Sequence, residues 1–252
     1  MQSMTKSKSE MFRSFIVPRR FMRGASVSVD ACGVSREVLI ATLRRTELLC
    51  NMPDTMADVL LNAMVGRRIR KGAVLFREGS RGDSLVLKAS GTAQVLQLSS
   101  GLANARVLAT LIEPAVLGQE SLYGVDKRSM TVRMLNEGTV FHMRRGIFAD
   151  LVADGFVNWV GADEILPQDK KVVWIGEART RPRAMQGIAC VSIDYLKRYI
   201  RETSSGETIY CCSRDDTTAA FAAFLLAQRG LDAIAVRNGR KLALPNHLAD
   251  QE

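Results

Sequence analysis

The stretch from Leu117 to Val132, LGQESLYGVDKRSMTV, decides how the first half of this chain folds. Its residues predict a short helical turn, a loop, and an Arg-Ser pair that leads into a strand. Gly118 has no Cβ, so the backbone can come close to a bound molecule at this position. Arg128 carries a fork of N–H donors that suits one phosphate group. The stretch therefore predicts an anion-binding turn beside a strand.

The same stretch closely resembles the phosphate-binding cassette of cyclic-nucleotide-binding domains, which has roughly the pattern F-G-E-x-A-L-L-x-x-x-P-R-x-A-T-V. The positions that match it without a gap are Gly118, Leu122, Arg128, Thr131 and Val132. The resemblance implies that Arg128, together with Ser129, holds a cyclic phosphate. The alternative for Arg128 is an exposed side chain at the edge of a strand.

The chain departs from the family pattern at the position that contacts the ribose. The family's glutamate, which accepts a hydrogen bond from the 2′-hydroxyl, falls on Gln119, and a carboxylate follows one position later, at Glu120. Glutamine keeps an acceptor oxygen but removes the charge, which costs about 1–2 kcal/mol, or roughly tenfold in affinity. We therefore expect weakened binding of a cyclic mononucleotide, cyclic AMP or cyclic GMP, without other cofactor or metal. The ligand-binding residues that the resemblance implies are Gly118, Gln119, Glu120, Arg128 and Ser129.

The residues before the cassette support the same family. Residues 72–95, GAVLFREGSRGDSLVLKASGTAQV, are similar to the family's opening hairpins, G-x-x-I-x-x-E-G-x-x-G-D-x-x-Y-x-I-x-x-G. The matching positions are Gly72, Glu78, Gly79, Gly82, Asp83 and Gly91. The glycines separate short apolar runs at strand spacing, which predicts the β-hairpins of a barrel or jelly roll.

Helices are predicted on both sides of this barrel. Ser35 can cap a helix over residues 36–49, and Pro53-Asp54 starts a second helix that runs through Met64. Two strands with a turn between them follow the cassette, and residues 146–160 are typical of an amphipathic closing helix. His142 falls within the second of these strands, so we expect a packed or surface histidine there.

The second half of the chain has a different order of predicted strands and helices. Residues 161–170, GADEILPQDK, indicate a linker. Three strand patterns follow, KVVWIG (171–176), ETIYCCS (207–213) and DAIAVRNG (232–239). A helical pattern that stops at Gly230 joins the last two of them. Strand, helix and strand in this order predict a small α/β unit with a parallel sheet.

This half resembles a rhodanese domain, most clearly over residues 209–239 and also over GIACVSIDYL at 187–196. The whole chain resembles bacterial proteins that join an N-terminal cyclic-nucleotide-binding domain, a Crp-like β-barrel, to a C-terminal rhodanese. The fold class implied is a multidomain α+β protein, with a β jelly roll or barrel and flanking helices followed by a small α/β rhodanese-like domain. The expected divisions are a basic flexible tail (1–34), a cyclic-nucleotide-binding-like domain (35–160), a linker (161–170) and a degenerate rhodanese-like domain (171–246).

Rhodanese chemistry needs a cysteine thiolate at a strand-to-helix turn, where loop N–H groups and the helix N-terminus stabilise the anion. The resemblance assigns this nucleophile to Cys211 or Cys212, and counting back from the helix shifts the match toward Ser213. We expect Cys211 and Cys212 to be ordinary buried strand residues instead.

The loop after the cysteines argues against catalysis. The family has glycine and then arginine, whereas this chain continues with Arg214-Asp215-Asp216-Thr217. Two carboxylates beside a thiol raise its pKa and repel an anionic sulfur donor. The simpler role for Asp216 or Thr217 is the N-cap of the following helix.

Composition excludes several classes of protein. The 252 residues leave room for two domains, and no apolar run reaches the length of a membrane span. Five cysteines without C-x-x-C spacing and two histidines favour reduced thiols in a cytoplasmic protein over a disulfide framework or a zinc site. The net charge of +9 is compatible with nucleic acid, acidic lipid or an anionic ligand, but we expect a solvated basic surface and no nucleic-acid partner. The basic first 30 or so residues lack the apolar region of a secretory signal.

Three functions compete at this point. The first is a non-enzymatic regulatory protein that senses a cyclic nucleotide and passes the signal to a rhodanese-like domain, which docks a protein partner. The second is a cyclic-nucleotide-regulated sulfurtransferase that uses Cys211 or Cys212. The third is a Crp-type transcription regulator, which the absence of a helix-turn-helix pattern after the barrel disfavours. The sequence favours the first.

Overall fold

The computed structural model describes residues 28–98, 105–123, 127–165, 170–202 and 206–242. Most of the predicted basic tail lies outside these residues. Its described end contains a 3₁₀ turn, Val29–Ala31, and Val29 is buried in the main hydrophobic core. The packed fold therefore includes residues before Ser35, where the sequence placed the start of the first domain.

The described residues form five α-helices, several short 3₁₀ or π-helical turns, and thirteen strands in three sheets. In chain order these are α1 (Arg36–Arg44), α2 (Asp54–Ala63), β1 (Val65–Ile69), β2 (Val74–Phe76), β3 (Ser84–Lys88), β4 (Ala93–Leu98), β5 (Ala105–Leu111), β6 (Ala115–Leu117), β7 (Thr131–Met134), β8 (Gly138–Arg144), α3 (Arg145–Leu151), β9 (Asn158–Gly161), β10 (Lys171–Ile175), β11 (Ala189–Val191), α4 (Ile193–Glu202), β12 (Ile209–Ser213), α5 (Asp216–Gln228) and β13 (Ala233–Arg237).

Two four-stranded antiparallel sheets form the N-terminal part, in the strand orders β1-β8-β3-β6 and β2-β7-β4-β5. Strand β3 is buried along its whole length because both of its faces are covered. Val86 packs between the two sheets with Phe76 and Val132, whereas Leu85 and Leu87 join the core beneath the helices. Alternate side chains point to opposite faces of a strand, so β3 serves two cores at once. The predicted jelly roll with flanking helices is confirmed.

The lead-in helices lie where the sequence predicts them, but α1 is shorter. The Ser35 hydroxyl accepts from the N–H of Val38 at 3.4 Å, as an N-cap does. The helix ends at Arg44 rather than at residue 49. Beyond it, both the hydroxyl (2.9 Å) and the N–H of Thr46 donate to the carbonyl of Leu43, and this bonding replaces the helical pattern with turns.

The C-terminal part is built on a five-stranded parallel sheet with the order β11-β10-β12-β13-β9. The predicted parallel sheet is confirmed. The N-cap of α5 is Asp215, not Asp216 or Thr217, because its carboxylate accepts from the Thr218 N–H at 2.8 Å. Asp216 instead accepts from the N–H of Asn238 at 3.0 Å and ties the end of β13 to the start of α5.

The closing helix predicted over residues 146–160 is wrong only in its last residues. Helix α3 continues into a π-helical turn, Val152–Phe156, and residues 158–161 form β9. This strand pairs in parallel with β13, from Asn158 opposite Ile234 to Gly161 opposite Arg237. The start of the predicted linker, residues 161–165, is also structured, and Ile165 is buried. Residues 166–169 lie outside the described part, and the domain division stays a prediction.

One hydrophobic core joins the two parts of the chain. The ring of Phe148 on α3 meets those of Phe221 and Phe224 on α5 edge-on, at centroid distances of 6.2 and 5.7 Å. The ring of Phe156 lies 6.1 Å from Phe224. Helix α5 is apolar all round because it is covered on one side by β12 and β13 and on the other by α3. The two parts therefore pack directly on each other.

Candidate functional site

The cassette holds its arginine inside the protein. Arg128 is only 7% exposed, and its two terminal nitrogens make four hydrogen bonds. Nη1 donates to the Ser121 hydroxyl at 2.7 Å and to the Gly118 carbonyl at 3.3 Å. Nη2 donates to the carbonyl and the hydroxyl of Ser84, at 2.7 and 3.1 Å. We call Arg128 with Gly118, Ser121 and Ser84 the arginine latch.

An aromatic ring and two carboxylates complete the surroundings of the guanidinium. Its carbon lies 3.8 Å from the centroid of the Phe76 ring, a cation–π distance. Burial lowers the pKa of Arg128, and the charges of Asp83 and Glu120 act in the opposite direction. A buried cation is tolerated when hydrogen bonds and charges satisfy it. The latch supplies the hydrogen bonds, and Asp83 and Glu120 supply the negative charge.

Gly118 is required by this arrangement. Its φ is +71°, a region that residues with a Cβ rarely adopt. A Cβ at this position would lie 2.0 Å from Nη1 of Arg128 and 3.2 Å from the Phe76 ring. The sequence predicts that Gly118 makes room for a bound molecule. In the structure, the glycine makes room for the side chain of Arg128.

The other three predicted ligand residues do not join the latch. Gln119 lines a cavity of about 590 Å³ between the end of α1 and the turn from β5 to β6. Its Oε1 is buried and makes no hydrogen bond within the described part of the chain. Glu120 and Ser129 are exposed. The structure thus brings Gly118 and Arg128 together and leaves Gln119, Glu120 and Ser129 outside their hydrogen bonds.

Sequence reasoning missed Ser84 and Ser121, which are the main partners of Arg128. One signal was available, because Ser121 stands where the family pattern has alanine. A hydroxyl at this position can accept from the arginine, whereas a methyl group cannot. Ser84 is 44 residues away from Arg128 in the chain, and the cassette contains no sign of it.

The cysteines of the second candidate site lie inside a strand. Cys211 and Cys212 are both 0% exposed and occupy the middle of β12, on opposite faces of the sheet. Burial raises the pKa of the Cys212 thiol to about 12. Burial and then the neighbouring Cys212 raise the pKa of the Cys211 thiol further. A thiol in this environment stays protonated at neutral pH and is a poor nucleophile.

A short segment after β13 covers the end of β12. The backbone of Gly239 lies so close that a Cβ there would be 3.2 Å from the Cβ of Cys212. Leu242 is 1% exposed and belongs to the same apolar cluster as Cys212. Nε of Arg240 donates to the Arg214 carbonyl at 2.7 Å, which fastens the segment to the loop after β12. Side chains and backbone of this segment thus cover Cys212 and the end of β12.

Other candidate chemistry is sparse among the described residues. No group of three or more His, Cys, Asp or Glu side chains could hold a metal ion there. Within the same residues, no helix is both long and apolar enough to cross a membrane. His142 lies in β8 and is half-buried, and burial and the charge of Arg67 lower its pKa.

Comparison with known proteins places the N-terminal part in a family. Residues 66–154 match the family described as "Cyclic nucleotide-binding domain". This range begins in β1, contains the whole arginine latch, and ends in the π-helical turn after α3. The N-terminal part of the chain is therefore a cyclic nucleotide-binding domain. No curated protein matches the chain.

Solved structures are similar over less than half of the chain. The regulatory domain of Toxoplasma gondii PKA with cAMP is 23% identical over 46% of this chain and 43% of its own, with a TM-score of 0.41. The N-terminal domain of a transcriptional regulator from Streptomyces coelicolor is 24% identical over 44% of this chain and 79% of its own, with a TM-score of 0.40. A cyclic nucleotide-binding-like protein from Brucella abortus is 22% identical over 45% of this chain and 96% of its own, with a TM-score of 0.41. The chain spans less than half the length of the Toxoplasma chain.

Proposed function

We propose that this protein is a regulatory module. Its cyclic nucleotide-binding domain senses a cyclic mononucleotide with weak affinity and passes the event to a non-catalytic, rhodanese-like C-terminal unit, which docks a protein partner. The observation that carries the proposal is the direct packing of α3, at the end of the first domain, on α5 of the second unit.

A continuous set of contacts runs from the cassette to the parallel sheet. Ser121 accepts from Arg128 through its hydroxyl at 2.7 Å and from Nη1 of Arg145 through its carbonyl at 3.5 Å. Arg145 is the first residue of α3, which carries Phe148 into the aromatic cluster on α5. Packed side chains and rigid helices of this kind can carry coupling between two sites. A ligand that moves Ser121 would thereby act on α5.

Two features of the cassette support weak rather than tight binding. A cyclic phosphate that uses Arg128 must replace hydrogen bonds the guanidinium already makes to Ser121, Ser84 and Gly118. Each hydrogen bond to a charged group contributes about 1.5–3 kcal/mol, so the exchange returns little net energy. Gln119 in place of a carboxylate removes the charge-assisted bond to a ribose hydroxyl.

The absence of sulfur transfer is supported by the environment of the two thiols. Cys211 and Cys212 are fully buried, and the Gly239 segment covers the end of their strand. The carboxylates of Asp215 and Asp216 stand at the N-terminus of α5, where an anionic donor would have to approach. We therefore assign partner docking to the parallel sheet and α5. The resemblance to rhodanese would then extend to the fold but not to the catalytic activity.

Calorimetry with cyclic AMP and cyclic GMP tests the binding step. We expect weak binding of one of them, its loss in Arg128→Ala, and roughly tenfold tighter binding in Gln119→Glu, because a carboxylate restores the charged acceptor. Gln97→Glu, the same change at an exposed position of β4, serves as the matched control and should leave the affinity unchanged. Absence of heat with every cyclic nucleotide at high concentration would show a domain that has lost its ligand.

Hydrogen exchange tests separately whether ligand binding in the first domain affects the C-terminal unit. Ligand should change the exchange rates of amides in α5 and β13 as well as in the cassette. Binding that alters only the cassette would leave the sensing domain intact and refute its communication with the second unit.

A further inference from the structure

A second cavity lies where the two parts of the chain meet. Its volume is about 850 Å³, which falls within the range of about 300–1,000 Å³ typical of small-molecule sites. Three walls enclose it: the start of α2, the residues between α3 and β9, and the end of α5 with the start of β13. Such junctions between packed units are frequent positions for ligand sites.

The cavity has an apolar floor and a polar mouth. Its buried apolar lining residues are Met56, Phe156, Ala223, Leu231 and Ala233. Gln228 is also buried in the lining, and its side-chain oxygen accepts from the N–H of Asn51. Around the entrance, Asn51, Thr55 and Asp232 are exposed. An apolar floor with a few polar groups on one side suits a molecule that has a hydrocarbon body and a single polar head.

The charged side chains in the cavity lining are both acidic. The charged lining residues are Asp54 and Asp232, and the lining contains no lysine, arginine or histidine. Asp54 forms an ion pair with Arg44 at 2.7 Å, so the wall made by α2 is close to neutral. Asp232 accepts from the Thr208 hydroxyl at 2.6 Å. The hydroxyl is neutral, so this bond does not cancel the negative charge of Asp232.

The end of α5 adds to this negative character. Gln228 and Gly230 line the cavity at the C-terminus of the 13-residue helix. The helix dipole places partial negative charge at this end, which favours a cation. Arg229, at the C-cap, carries a positive charge there, and Glu47 pairs with it at 3.3 Å. The wall formed by α2 is close to neutral and does not oppose the preference for a cation. Asp232 and the C-terminus of α5 therefore favour a positively charged head group on the bound molecule.

We propose that this cavity binds a small molecule with an apolar body and a cationic amine head, and that the amine lies between Asp232 and the C-terminus of α5. The site is separate from the arginine latch and does not depend on the proposed function. Because α2, α5 and β9 all border it, an occupant would contact both parts of the chain at once.

Calorimetry on the full chain with n-octylamine, 1-octanol and octanoate at neutral pH tests the chemical class. All three share one hydrocarbon body, and only the head differs. We expect the protonated amine to bind at least about tenfold more tightly than octanoate, with octanol between them. Equal or tighter binding of octanoate, or no heat with any of the three, would overturn the proposal.

Variants locate the binding on the molecule. Ala227 lines the cavity and is exposed, so Ala227→Phe fills the space without disturbing the core and should abolish amine binding. Thr217→Phe, at an exposed position near the other end of α5, is the matched control and should bind the amine like the unaltered chain. If Ala227→Phe fails to fold, Thr55→Tyr closes the mouth from α2. Amine binding that survives these cavity-filling changes would refute the site.

A last variant separates charge from shape. Asp232→Asn keeps an acceptor for the Thr208 hydroxyl but removes the negative charge. The affinity for n-octylamine should fall toward that of 1-octanol, while the affinity for the alcohol stays the same. An unchanged preference for the amine would contradict the role of Asp232.

Discussion

At the scale of single residues, the arginine of the cassette has two possible partners. In the structure, Arg128 donates to Ser84, Ser121 and Gly118 of its own chain. In the proposed complex, it would donate to a cyclic phosphate. The two arrangements compete for the same N–H groups, because a guanidinium has five donors and this one already uses its terminal nitrogens. The apparent affinity for a ligand therefore depends on how strongly the latch holds.

Ser121→Ala tests this competition and restores the alanine of the family pattern. The change removes the 2.7 Å hydrogen bond to Nη1 of Arg128. We expect the free energy of unfolding to fall by about 1.5–3 kcal/mol, since a bond to a charged group is lost. The affinity for a cyclic nucleotide should rise, because one competing partner has gone.

Urea denaturation measures the first effect and calorimetry the second. Ser28→Ala is the matched control, since Ser28 is exposed and lies outside both the latch and the cassette. A variant that loses stability without gaining affinity would show that the latch and the ligand do not compete.

At the scale of the elements, β12 decides what the cysteines can do. The strand lies between β10 and β13, with helices and the Gly239 segment covering its faces and its end. Neutral thiols in a buried strand act as small apolar side chains. The same two residues at an open strand-to-helix turn would be a candidate nucleophile, so their position along the strand determines their chemistry.

Thiol titration with an aromatic disulfide reagent provides the corresponding test. Cys50 is exposed and should react in the native protein, and Cys50→Ser should remove that reaction. Cys211 and Cys212 should react only after unfolding, because burial raises the pKa of Cys212 to about 12 and excludes the reagent. Rapid native labelling of either one would contradict their burial.

The same argument predicts no sulfur transfer. The protein should form no thiocyanate from thiosulfate and cyanide above the level of a Cys211→Ala/Cys212→Ala variant, with or without cyclic nucleotide. A clear rate that disappears in the double variant would overturn the regulatory proposal in favour of a regulated sulfurtransferase.

At the scale of the whole molecule, the shared hydrophobic core should hold the two parts together even when the chain between them is cut. We expect a protease to cut the chain between residues 161 and 170 at a site beyond Ile165, since residues 158–165 pack in the second unit. The two fragments should nevertheless stay together, because Phe148 and Phe156 of one contact Phe224 of the other. The contacts are apolar and fully buried, so they resist dissociation.

Size-exclusion chromatography after limited proteolysis checks this prediction. The fragments should co-elute in native buffer and separate in urea. Phe148→Ala, which removes a fully buried ring, should weaken the association and lower the free energy of unfolding by about 3–5 kcal/mol. Fragments that separate in native buffer would show two independent domains with a flexible joint.

The short-range features of the molecule could be predicted from the sequence. The alternation of apolar residues indicated the strands of the jelly roll, and the glycines marked their turns. The spacing of the cassette identified the domain from a single stretch, and the order of strand, helix and strand indicated the parallel sheet. Each of these signals lies within about 30 residues of chain, which is the distance over which side-chain period and turn chemistry are expressed.

The partners of each element were decided only by the tertiary structure. Arg128 forms its latch with Ser84, 44 residues away, and residues 158–161 became a strand because β13 offered a free edge. Burial in β12, rather than neighbouring residues, makes Cys211 and Cys212 unreactive. Hydrogen bonds and desolvation depend on which groups meet in space, and the chain brings these groups together only when its hydrophobic surfaces pack. The sequence by itself determined which elements form, while packing determined what their side chains can do.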